Sequence, residues 1–98
     1  MLPIDDPKQL VKYLESFYDL VRSGMSGQPY GAWVDQIRTD LSGISDLAIR
    51  QRALELFRHV ESGGYVLRRN PELRETTVLP PIRELIDYLK QAFGLGNN

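Results

Sequence analysis

The sequence contains no cysteine in its 98 residues, which removes disulfides, thiolate metal sites and cysteine nucleophiles together. It has one histidine, His59, and a conventional zinc site needs more nitrogen and sulfur ligands than that. No metal and no cofactor is therefore expected. Long apolar runs are missing too. The longest stretches are two or three residues, far short of the roughly 20 that a membrane-spanning helix requires. The opening MLPIDDPKQL has neither a basic n-region nor an apolar h-region, so no secretory signal is expected and the cytoplasm is the expected location. Basic residues are not in excess. Twelve bases meet thirteen acids for a net charge of −1, whereas a chain that neutralises phosphates usually carries a surplus of positive charge. No stretch alternates with period two long enough to make a strand, and no repeat appears at 30–45 residues.

The residues that are present describe a helical protein. Apolar residues make up 42% of the chain and nine residues are aromatic, ordinary values for a folded domain and too rich for a disordered one. Residues 1–98 are read as a single helical domain. Its length permits independent folding with a modest margin. Charge is unevenly spread: residues 1–47 carry a net −3 and residues 48–98 a net +2, seven of the latter's bases being arginines.

The spacing predicts four helices in an all-α bundle, at about 6–22, 30–41, 46–62 and 81–93, with 63–80 irregular. The first is the most apolar. Leu10, Val11, Tyr13, Leu14, Phe17, Tyr18, Leu20 and Val21 cover roughly half of its circumference, more than one neighbouring helix can bury. It should therefore touch several helices or a second molecule. Asp5 or Asp6 before Pro7 reads as its N-cap. The loop SGMSGQPYG after it is glycine-rich, but it follows a helix and lacks the Lys-Ser/Thr of a phosphate loop. In the second helix Trp33 reads as an anchor against the first. The third is expected to bury Ile49, Ala53, Leu56, Phe57 and Val60. Its polar face predicts the pairs Asp46–Arg50, Glu55–His59, Arg52–Glu55 and Arg58–Glu61, with His59 solvated. Ser62-Gly63-Gly64 reads as its stop. Beyond it, Tyr65, Val66 and Leu67 are expected to lie extended, Asn70-Pro71 to cap one short turn, and Pro80-Pro81 to open the last helix. That helix has the cleanest stripe (Ile82, Leu85, Ile86, Leu89, Phe93). It should end at Gly94, with 96–98 frayed.

Catalysis has little to stand on. The carboxylate pairs Asp5–Asp6 and Asp35–Asp40 fall at caps and on polar faces, where acids are expected anyway, and no small-molecule substrate is suggested. The expected function is instead a protein–protein interaction module that self-associates, as a homodimer, or docks on a larger partner. Aromatic residues and arginines dominate binding hot spots, which nominates Tyr13, Tyr18 and Leu20 on the first helix and Tyr65, Arg68 and Arg69 in the region after the third.

The alternative is a DNA reader in residues 37–52, IRTDLSGISDLAIRQR. Gly43-Ile44-Ser45 between two helices resembles the glycine–hydrophobe–serine turn of helix-turn-helix proteins. That resemblance, covering about sixteen residues, implies a recognition helix presenting Ser45, Arg50 and Gln51 to DNA, the last two side chains suited to guanine and adenine. The pattern departs at Arg38, Ser42 and Arg52, where the motif usually places apolar residues.

Overall fold

The protein is described by a computed structural model over residues 7–95. Among these residues there are four α-helices and no strand. The Asp5/Asp6 cap and the fraying of 96–98 lie outside the described residues.

Helix α1 (Pro7–Arg22) buries Leu10, Val11, Leu14, Phe17 and Val21. Gly24 closes it at φ +119°, a conformation that favours glycine. Helix α2 (Gly27–Ser42) begins three residues before the predicted start and places Pro29 in its first turn, where a missing N–H breaks no bond. It buries Tyr30, Val34, Ile37 and Leu41.

Helix α3 (Leu47–Arg69) starts on an Asp46 cap, whose side chain accepts from the Ile49 N–H at 3.0 Å. It does not stop at Gly63-Gly64. The pair lies inside the helix, buried, because it forms a notch for Tyr30. A Cβ on Gly63 would fall 2.5 Å from the Tyr30 hydroxyl, and one on Gly64 would fall 2.9 Å from Tyr30 Cδ1. With no side chains there, the ring lies against the α3 backbone and its hydroxyl donates to the Val60 carbonyl. Two interior glycines cost about 2 kcal/mol. Burying an aromatic of about 150–250 Å² at about 25 cal/mol per Å² is worth up to roughly 4–6 kcal/mol, so packing prevails over helix propensity. In consequence Tyr65, Val66 and Leu67 are helical rather than extended, with Leu67 buried.

The connection to α4 is correspondingly short and wound throughout. A 3-10 turn (Pro71–Leu73) leads into a π turn (Arg74–Val78), and α4 (Leu79–Ala92) begins at Leu79 rather than Pro81. The prolines explain the wide turn. Pro80 and Pro81 have no N–H to give the carbonyls four residues back, and the N–H of Leu79 reaches the Arg74 carbonyl five residues back. At the far end Gly94 takes φ +67°. Its N–H bonds the Gln91 carbonyl at 3.2 Å, and that of Leu95 bonds Lys90 at 2.8 Å, a Schellman closure.

Helix α2 packs chiefly on α3, α3 on α4, and α4 back onto α1, with α1 also touching α2 and the π turn. Lys90–Glu15 at 3.2 Å and Arg83 over the Tyr18 ring run α1 antiparallel to α4. The longest dimension, 36 Å, matches the roughly 35 Å that a 23-residue helix spans. The wide stripe of α1 is thus covered largely by its own chain, and of its apolar residues Leu20 remains 45% exposed.

Candidate interaction surface

The end of the bundle where α2 begins and α3 finishes gathers three of the nominated residues, Tyr65, Arg68 and Arg69. Tyr65 is 57% exposed, and the Arg69 guanidinium lies over its ring at 5.0 Å, an i, i+4 stack along α3. Arg68, one residue earlier, turns toward α2, its aliphatic stem resting over Gly27, where a Cβ would collide with it. Between these walls runs a groove of about 560 Å³ lined by Gly27, Gln28, Gly31, Glu61, Tyr65 and Arg68 among others. Tyr30 and Gly64 close its floor. Glu61 on the rim is taken up by Arg38 of α2, whose Nε reaches it at 3.0 Å. That carboxylate and Asp35 together push the Arg38 pKa up. Leu20 and Leu73 are the other large exposed apolar side chains toward this end, 45% and 37% exposed. Helices α1 and α3 do not pack on each other, so Leu20 is separate from the Tyr65 face.

Tyr13 and Tyr18 sit elsewhere. Tyr13 is half-buried and stacks on Trp33 with centroids 4.7 Å apart, and Trp33 also stacks on Phe17 at 5.5 Å. Burial, then the negative charge of Asp40, raises the Tyr13 pKa. Tyr18 is capped by Arg83 at 4.7 Å from its ring. Both tyrosines are engaged within the fold.

The residues of the DNA alternative are also dispersed. Ser45 and Gln51 are exposed, but the half-buried Arg50 donates to the Ile44 carbonyl at 3.2 Å, within the turn itself. Gly43 has φ −91°, a conformation open to any residue, so the turn makes no use of glycine's freedom. Gln51 lines a second groove, of about 610 Å³, that includes Arg38, Leu54, Glu55, Arg58 and Glu61. Its walls set two carboxylates against two arginines, so it offers a phosphate backbone no surplus of positive charge.

The polar face of α3 follows the sequence only in part. Arg52–Glu55 forms at 3.1 Å, while Asp46 caps the helix, Arg50 binds the turn and Glu61 pairs with Arg38. His59 is exposed beside Arg52, Glu55 and Arg58. Asp35 meets Arg38 at 3.0 Å, and Asp40, only 8% exposed, accepts from Gln36 at 3.0 Å. No group of three or more His, Cys, Asp or Glu side chains able to hold a metal gathers among the described residues. No helix of the described residues is long and apolar enough to cross a membrane.

Sequence reasoning missed the α2 wall of the first groove. The signal was present in Gly27, Gly63 and Gly64, small residues that let two helices approach closely, but each glycine reads equally well as a loop. Comparison with protein-family models, with curated proteins and with solved structures finds no match for this chain.

Proposed function

We propose that the protein is a protein–protein interaction module, not an enzyme, and that it binds through the α2–α3 end of the bundle. The observation that carries this reading is the Tyr65 face. A large aromatic is held 57% exposed on a regular helix, stiffened by the Arg69 stack and continuous with a groove. Ordered aromatics and arginines lose little freedom on binding, which is why they dominate hot spots. Tyr65, Arg68 and Arg69 are the contact residues, with Leu20 and Leu73 peripheral. The partner is another protein or a second copy of this chain.

Two measurements test it. A photo-crosslinking amino acid placed at position 65 in living cells should give discrete protein adducts, while one at the exposed position 84 of α4 gives none. Light scattering over a wide concentration range tells a second copy from a different protein. A strict monomer with no adduct at position 65 would sink the proposal.

A further inference from the structure

We infer that the Tyr65 face takes an acidic segment of a partner protein, with carboxylates flanking one bulky apolar residue. This rests on the interaction-module reading above and specifies its partner. Charge complementarity selects this occupant. Arg68 and Arg69 make no ion pair with a carboxylate among the described residues, where the ion pairs join other groups. Their place at the C-terminal end of α3 suits the helix dipole, and both residues are exposed. The acid that lines the same groove, Glu61, is engaged by Arg38, which it shares with Asp35. The Tyr65 face therefore carries two arginine charges that no carboxylate of the described residues pairs.

Its layout sets the order of groups in the occupant. Consecutive residues on a helix diverge by about 100°, so Arg68 faces the groove beside Gly27 while Arg69 lies outside, over Tyr65. An apolar side chain against the open face of Tyr65 is then bracketed by the two guanidiniums. Each guanidinium is a fork suited to one carboxylate. A protein segment fits better than a nucleic acid. Duplex DNA carries a charge about every 1.7 Å, more than two arginines can meet, and it offers no apolar side chain to lie against the Tyr65 ring.

The test pans a random peptide library against the intact protein and counter-selects on the Arg68→Glu/Arg69→Glu double variant. Both substitutions are at exposed positions, and an unchanged thermal midpoint shows that the variant is folded. The expected peptides carry aspartate or glutamate on both sides of a Leu, Ile or Phe. They bind the wild type about tenfold or more tightly than the variant, and binding weakens as salt rises. In amide NMR spectra they shift Gly27, Gln28, Tyr65, Arg68 and Arg69. Neutral or basic peptides that shift the same amides would overturn the acidic preference while leaving the interaction module standing. Peptides that bind equally to the double variant, or no enriched peptide at all, also overturn it. So does duplex DNA binding this face more tightly than the best peptide, or self-association that the double variant abolishes.

Discussion

Tyr30 is the residue on which the packing of α2 against α3 turns. Its ring is fully buried, tilted against Phe17 at 4.9 Å, and its hydroxyl donates to the Val60 carbonyl. Burial pushes its pKa well above the ordinary 10.0. A raised folded-state pKa means that the stability tied to the protonated phenol is complete below pH 10. That stability drains away as pH climbs past 10, because the unfolded chain releases the proton first. Tyr13, shifted in the same direction, adds to the slope. Urea unfolding followed from pH 8 to pH 11 should thus show a plateau and then a fall, shallower in Tyr30→Phe. That variant should also lose about 1 kcal/mol at neutral pH with its hydrogen bond. The glycines give a paired prediction. Ala normally stabilises an interior helix position by about 0.5–1 kcal/mol over Gly, and Gly31→Ala, with open space around it, should gain that much. Gly64→Ala meets the Tyr30 ring at 2.9 Å and should instead lose about 1–3 kcal/mol in denaturant melts. A gain at position 64 would remove the notch as the reason for the glycine pair.

At the level of elements, α1 and α4 were legible because each carries an uninterrupted amphipathic stripe and a strong terminator. Gly94, for one, closes α4 where its position implies. The continuation of α3 was not legible. Whether Gly63-Gly64 ends a helix or admits a ring depends on Tyr30, more than thirty residues earlier, and local pattern carries no trace of that contact. The same error turned Tyr65, Arg68 and Arg69 from helix residues into loop residues. Their chemistry could be read from residue type, but the groove they share with Gly27 and Gln28 could not. Two substitutions weigh the ends and faces of the helices. Asp46→Ala should cost about 1 kcal/mol through the lost cap on α3. Tyr13→Ala should cost about 2 kcal/mol or more by unstacking Trp33, with solution mass unchanged. If mass changed and stability did not, Tyr13 would be a docking residue.

For the molecule as a whole, the surface ion pairs contribute little. Most join half-exposed side chains one turn apart, a geometry worth a few tenths of a kcal/mol each. Raising salt should barely move the thermal midpoint. The hydrophobic interior carries the stability, and its helices are joined in a closed circuit: α2 on α3, α3 on α4, α4 on α1. That circuit has a consequence for synthesis. A ribosome adds roughly 5–20 residues per second, so α1 emerges several seconds before α4, the helix that covers much of it. Until then its apolar face is open to chaperones, to neighbouring nascent chains, or to a partner that binds before the circuit closes.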